Sequence, residues 1–149
     1  MKPINECRLR FPSLSTNESF ARAVVGAFIV QCDPTVSELN DLRTAVSEAV
    51  TNCIVHAYRD TVGEIQLHMR LYEGGRVVVK IRDRGCGISD IQKAREPLFT
   101  TGGEERSGLG FSVMESFTDK IRVISHVGRG TTVTLEKQIR GKCSFGEEL

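Results

Sequence analysis

Glu48-Ala-Val-Thr-Asn52 lies inside a pattern of helical period that continues to His56. A helix turns about 100° per residue, so residues four apart point nearly the same way. Glu48, Asn52 and His56 therefore form one polar row. Leu42, Ala45, Val46, Ala49, Val50, Cys53, Ile54 and Ala57 make a broad apolar arc beside it. A carboxylate and a carboxamide on the flank of a buried face can serve as a base and a metal ligand in the wall of a cleft. Taken alone, they read first as polar edge residues of an amphipathic helix, a common arrangement.

Downstream the period switches to two. Ile65, Leu67, Met69 and Leu71 alternate with polar neighbours, Glu73-Gly74-Gly75 signals a hairpin, and Val77, Val79 and Ile81 continue as a second strand ending at Asp83. Asp83-Arg-Gly85-Cys-Gly87-Ile88 is a glycine-rich turn, and Ser89 is expected to cap a short helix through Ala94. From Pro97 to Gly108 nothing is periodic, and connections of this length are often functional lids. A helix resumes after Gly108-Leu-Gly110, with Phe111, Val113, Met114 and Phe117. Ile121, Val123 and Ile124 read as a strand, Val127-Gly-Arg-Gly130 as a turn, and Thr131, Val133 and Leu135 as the last strand.

Upstream, Cys7, Leu9 and Phe11 alternate with Glu6, Arg8 and Arg10 in a first strand that Pro12 ends. Ser15-Thr-Asn-Glu18 fits a capping box opening a helix to about Gln31, with Phe20, Val24 and Phe28 on one face. Asp33-Pro34 breaks that helix, and Thr35-Val-Ser-Glu38 is a second capping box at the start of the helix carrying Glu48. The polar tail from Arg140 is a candidate for disorder. Adjoining strands joined by tight turns are expected to be antiparallel. The economical architecture is an α/β (α+β) two-layer sandwich, a mixed, mostly antiparallel sheet covered by helices on one face. Residues 1–149 are read as a single domain with no internal repeat.

Composition narrows the function. A net charge of +1 provides no field for polynucleotide or membrane binding, so contact with a nucleic-acid machine would run through a protein partner. The five cysteines are odd in number and form no C-x-x-C pair, which argues against a disulfide framework or a zinc site and for a reducing, cytoplasmic compartment. The first residues hold no apolar signal core, and no apolar run approaches the ~20 residues a spanning helix needs.

Four features recur in order: Glu48-x-x-x-Asn52 on a helix, Asp83-x-Gly85-x-Gly87 at a strand end, the lid leading to Gly108-x-Gly110 at a helix start, and Gly128-x-Gly130-Thr131 entering the last strand. Each has a use for ATP. Asp83 can accept a hydrogen bond from the exocyclic amine of adenine, and Gly85 and Gly87 let backbone approach the flat base. Gly108-Leu-Gly110 offers backbone N–H groups to phosphates. Asn52 supplies a neutral oxygen for Mg²⁺, and Thr131 can hydrogen-bond the adenine edge. Singly, each is also a common turn or helix edge, and neither a Walker A motif nor a dinucleotide fingerprint is present.

Together these features resemble the N, G1, G2 and terminal Gly-Thr boxes of the gyrase, heat-shock chaperone, histidine kinase and MutL ATP-binding superfamily, whose members have the Bergerat-type ATP-binding fold. Ser47-Glu-Ala-Val-Thr-Asn52, Asp83-Arg-Gly-Cys-Gly87-Ile88, Pro97-Leu-Phe-Thr-Thr101 and Glu105-Arg-Ser-Gly-Leu-Gly-Phe111 resemble one branch of it, the sporulation anti-sigma-F serine kinases, from about Asn17 to Lys137. The resemblance implies a homodimer that, with ATP bound, holds the sporulation sigma-F factor inactive. It also implies phosphorylation of a serine on a small anti-anti-sigma factor, with ATP/ADP and Mg²⁺ as cofactors. Under it Glu48 is the general base, Asn52 the Mg²⁺ ligand, and Asp83 the adenine reader, with Gly85, Gly87 and Thr131 shaping the base pocket. Arg106 would neutralise charge on the transferred phosphoryl group. Thr100, Thr101, Ser107, Gly108, Leu109 and Gly110 would close over the nucleotide. Glu18, Phe20 and Arg22 on the first helix are candidates for partner docking, and the first strand for pairing across a dimer axis.

Two departures stand out. No Lys-Pro follows the threonine pair, where Gly102-Gly103 stands instead, and Ala57 follows His56 where relatives often carry glycine. His56 is read as a structural polar residue. The competing readings are a binding protein that uses ATP only structurally, against which Glu48 argues, and a histidine-kinase catalytic domain, against which the lack of a phosphoacceptor helical domain argues.

Overall fold

Among the described residues, 1–95 and 110–141 of a computed structural model, five strands pair in the order β1-β2-β3-β5-β4. They are β1 (Asn5–Pro12), β2 (Glu64–Tyr72), β3 (Arg76–Asp83), β4 (Lys120–His126) and β5 (Gly130–Gln138). Every pairing is antiparallel, so the sheet expected to be mostly antiparallel is wholly so among these residues. Strand alternation carries across the register. Cys7, Met69, Val79, Leu135 and Ile121 form one apolar row, and Leu9, Leu67, Ile81, Val133 and Val123 the next. Both rows sit on one face, because side chains two apart along a strand share a side.

That face is covered by α1 (Thr16–Ile29), α2 (Val36–Asn52) and α4 (Phe111–Phe117). Leu42, Ala45, Val46, Ala49 and Val50 of α2 are buried, the arc expected from the helical period. Fully burying a side chain such as Leu42 or Val46 contributes roughly 1.5–3 kcal/mol each. On α1 the buried stripe is Ala21, Val25 and Ile29, one position beyond the expected Phe20, Val24 and Phe28. Val24 and Phe28 pack at its edge, while Phe20 is 49% exposed and meets Phe11 edge-on at 6.1 Å.

The two expected capping boxes differ. At α2, Glu38 N–H donates to Thr35 Oγ1 (3.1 Å) and Thr35 N–H donates to Glu38 Oε1 (3.0 Å). At α1, Ser15 has helical backbone angles and makes no side-chain cap, so the box expected there does not form. Its fourth member, Glu18, instead accepts from Ser47 Oγ on α2 and pairs with Arg22 at 3.1 Å. The short helix α3 (Ile91–Ala94) is capped by Asp90 rather than Ser89, through Lys93 N–H at 3.0 Å.

The chain end is also held where disorder was expected to begin. Arg140 N–H donates to Glu38 Oε2 at 2.7 Å and Gly141 N–H to Glu38 Oε1 at 3.0 Å. One carboxylate thus caps α2 and fastens the residues after β5. Burial works to raise the pKa of Glu38, but hydrogen bonds from Thr35, Arg140 and Gly141 prevail and lower it. The remaining tail, 142–149, lies outside the described residues.

Candidate functional site

α2 does not stop at Asn52. It widens into a π-helical turn, Cys53–Ala57, closed by Tyr58 N–H to the Cys53 carbonyl at 3.1 Å. Such turns recur at functional sites because they redirect side chains without ending the helix. Tyr58 anchors the turn: its hydroxyl donates to the Glu64 carbonyl (2.7 Å) and accepts from Arg84 N–H (2.6 Å). The helix end is thereby tied to the start of β2 and the end of β3.

Between this turn, β3 and β5 lies a cavity of about 380 Å³, within the range of small-molecule sites. Ile81, Ala94, Phe111 and Val133 supply apolar walls, and Asn52, Asp83, Gly87 and Thr131 polar ones. Four expected site residues from three separate stretches therefore meet at one cavity. Glu48 stands one helical turn before Asn52, with its carboxylate against Gly110 at the start of α4. Gly110 has φ +67°, and an added Cβ would collide with that carboxylate. Thr100, Thr101, Arg106, Ser107, Gly108 and Leu109 lie outside the described residues.

Asp83 is the most constrained group at the site. It is 6% exposed, and its Oδ1 accepts from Gly85 N–H at 2.9 Å and Thr131 N–H at 3.2 Å. Its Oδ2 meets only the Cys53 thiol, at 3.5 Å, among the described residues. A thiol is a weak donor, so this oxygen keeps acceptor capacity for a further partner. Burial raises the Asp83 pKa, against the lowering effect of these hydrogen bonds. Burial, then the Asp83 charge, raises the Cys53 thiol well above its ordinary value, so the sulfur keeps the proton it donates.

The glycines serve different needs. Gly87 lines the cavity at φ +78°, with its back against the His126 carbonyl. Gly85 is not part of the cavity wall: a Cβ there would strike Ala57, so its lack of a side chain permits close packing on the π-helical turn. Gly130, at φ +117°, lies against the Asp83 carbonyl. His56 also lines the cavity, and its carbonyl accepts from Cys86 Sγ at 3.3 Å.

Ser125 is a positioning residue that sequence reasoning passed over. Its hydroxyl accepts from Ile88 N–H at 2.8 Å and lies 2.7 Å from Thr131 Oγ1, bracing the glycine turn and the threonine together. The signal was present: Ser125 occupies the same parity in β4 as Ile121 and Val123, an inward position where a polar residue needs a partner. Of the docking candidates, Glu18 is turned toward Ser47 and pairs with Arg22, whereas Phe20 is open.

The family model for the histidine kinase-like ATPase domain matches residues 11–137. The chain is 52% identical over 136 residues to the anti-sigma F factor of Geobacillus kaustophilus, covering 91% of this chain and 93% of that one. It is 49% identical over 140 residues to the anti-sigma F factor of Thermoanaerobacter pseudethanolicus, covering 93% and 97%. This chain belongs to the anti-sigma F factor family of histidine kinase-like ATPase domains. Its fold is that of a solved Mycobacterium tuberculosis structure of RsbU and RsbW domains, at TM-score 0.68 and 21% identity over 92% of this chain and 33% of that one. The histidine kinase domain of an Erythrobacter litoralis blue-light activated kinase has the same fold, at TM-score 0.58 and 19% identity over 87% of this chain and 65% of that one. Membership implies an adenine-nucleotide site. The half-satisfied carboxylate of Asp83 and the apolar-walled cavity beside it fit an aminopurine. Among the described residues no helix is long and apolar enough to cross a membrane.

Proposed function

We propose that this protein is an anti-sigma factor that binds and inhibits the sporulation sigma-F factor and is also an ATP-dependent serine kinase acting on the anti-anti-sigma factor. The observation that carries the reading is an adenine-type acceptor, Asp83 Oδ2, in the cavity together with a carboxylate, Glu48, one helical turn before the cavity-lining Asn52. A base fits a kinase and has no task in a protein that only binds nucleotide. The relatives' names support the sigma-F assignment.

In this reading Asp83 accepts from the adenine amine, and Thr131, held by Ser125, meets the adenine edge. Asn52 would hold Mg²⁺, which when bound neutralises phosphate charge. Glu48 accepts the proton of the acceptor serine hydroxyl as its oxygen takes the γ-phosphoryl group and ADP leaves. Arg106 stabilises the charge developing on that group, and Thr100, Thr101 and Ser107 to Gly110 enclose it. Most of the acceleration comes from positioning and charge neutralisation. Phe20 and Arg22 on α1 are the proposed docking residues, with Glu18 holding Arg22 from below. β1, an edge strand, is the proposed site of homodimer pairing. The reading places the protein in the cytoplasm, with its partners.

The test is incubation with radiolabelled ATP and the anti-anti-sigma factor, followed by acid treatment of the product. Label that survives acid is phosphoserine and supports the kinase reading. Acid-labile label points to phosphohistidine, and absence of transfer points to a binding-only protein; either result overturns it.

A further inference from the structure

The face of the sheet turned away from the helices carries a pattern that the ATP site does not use. The same register that builds the apolar rows builds two polar ones. Arg8, His68, Lys80, Thr134 and Arg122 lie side by side across all five strands, and Arg10, Gln66, Arg82, Thr132 and Ile124 form the next row. A groove of about 470 Å³ runs between these rows on β1, β2 and β3. The acidic residues on this face are engaged. Glu6 lies 3.5 Å from Arg8 and Glu136 2.9 Å from Arg76, and Glu64 accepts from Gln66 at 3.0 Å. Arg10, Lys80, Arg82 and Arg122 have no ion-pair partner among the described residues. The imidazole of His68 registers this field: burial first, then Arg8 and Arg70, lower its pKa. A chain of net charge +1 thus concentrates its positive charge on one flat side.

We infer that the open face of the sheet is a docking surface for a carboxylate-rich protein segment, separate from the nucleotide cavity and from α1. Extent and chemistry select that partner. Five strands at about 4.8 Å spacing put Arg8 and Arg122 about 19 Å apart, too far for one small anion to bridge. A polynucleotide is disfavoured because the face has no exposed Phe, Tyr or Trp ring for base stacking among the described residues. Tyr72, the tyrosine of β2, is 7% exposed and covered by the Arg76 guanidinium at 4.2 Å. A second copy would bring the same cations against themselves. Flat, spread, unpaired cations suit an acidic helix or strand, with long-range attraction that sets capture rate and salt dependence.

The test is an NMR titration of the isotope-labelled full chain with a short poly-glutamate peptide, alongside an oligothymidylate of matched charge. Expected are shifts confined to the open face, at Arg8, Arg10, His68, Lys80, Arg82 and Arg122, with affinity falling about tenfold from low to physiological salt. The triple variant Arg10→Glu/Lys80→Glu/Arg82→Glu should lose binding, and its neutral counterpart with Gln at the three positions should retain a fraction. Arg129→Glu, an exposed change in the β4–β5 turn, should bind as the parent does. Nucleotide affinity unchanged in all variants shows that the fold is intact. The inference is overturned by unchanged peptide affinity in the charge-reversed variant, or by shifts on the helical side. Tighter binding of the oligothymidylate overturns it in favour of a polynucleotide, and concentration-dependent shifts of this face without peptide overturn it in favour of a second copy.

Discussion

Replacing Asp83 by Asn separates binding from folding. The carboxylate accepts two backbone N–H groups on Oδ1, a role the Asn carbonyl can keep, whereas Oδ2 becomes an NH₂ donor facing the Cys53 thiol and the adenine amine. A hydrogen bond to a charged acceptor contributes about 1.5–3 kcal/mol. Since about 1.4 kcal/mol is a factor of ten, nucleotide affinity should fall by roughly 10- to 150-fold. Folding stability should move the other way or not at all. The folded pKa of Asp83 is raised by burial, so the native state binds more protons than the unfolded chain between the two pKa values. Stability then declines as pH rises through that interval, and at neutral pH the buried charge is a net cost. The Asp83→Asn substitution removes that cost. Isothermal titration with ATP and thermal melting of the nucleotide-free protein measure both quantities. Parent-like ATP affinity, or a loss of affinity that merely tracks a lower melting temperature, would refute the reasoning.

Further outcomes follow from other contacts. Glu48→Ala should reduce phosphoryl transfer by about 10²–10⁴-fold while sparing nucleotide affinity; equal loss of both would exclude a base at this position. Glu38→Ala should destabilise the fold by about 1–2 kcal/mol by removing the carboxylate that accepts from Thr35 N–H in the capping box, while the Thr35 hydroxyl still accepts from the residue 38 N–H, and should also release the residues after β5, read by urea denaturation and amide exchange at Arg140 and Gly141. Because the folded pKa of Glu38 is lowered, its contribution is present above its unfolded pKa and is lost as pH falls through the folded one. A melting series from neutral to acid pH should therefore show the parent converging on the variant. Gly130→Ala should cost at least about 1–3 kcal/mol from backbone strain at φ +117°, before the collision with the Asp83 carbonyl is counted, and a parent-like melting temperature would contradict that placement.

Much of the fold is legible along the chain because short-range physics dominates it. Period two marks each strand, and the Thr35–Glu38 box forms where its spacing says. Local reasoning failed at α1 for a tertiary reason. Glu18 is drawn to Ser47 on α2, and Phe20 to Phe11 at the sheet edge, so neither serves the helix as an isolated helix would use it. Arg140 and Gly141, at the start of the tail read as a candidate for disorder, are held by a partner, Glu38, that lies about a hundred residues earlier and is invisible to local reading. A glycine records only that space is short: at Gly85 the neighbour in the fold is Ala57.

The sequence by itself determined the elements, the polar residues within them and the family, since alternation, caps and glycine turns depend on neighbours a few positions apart. Only the tertiary structure decided that β5 inserts between β3 and β4. That insertion puts Thr131 N–H beside Asp83, 48 positions away, and aligns Arg8, His68, Lys80 and Arg122 in one row on the opposite face. The physical reason is that strand order is set by which apolar faces cover the helices together. A hairpin signal specifies its own two strands and says nothing about the strand on its other side.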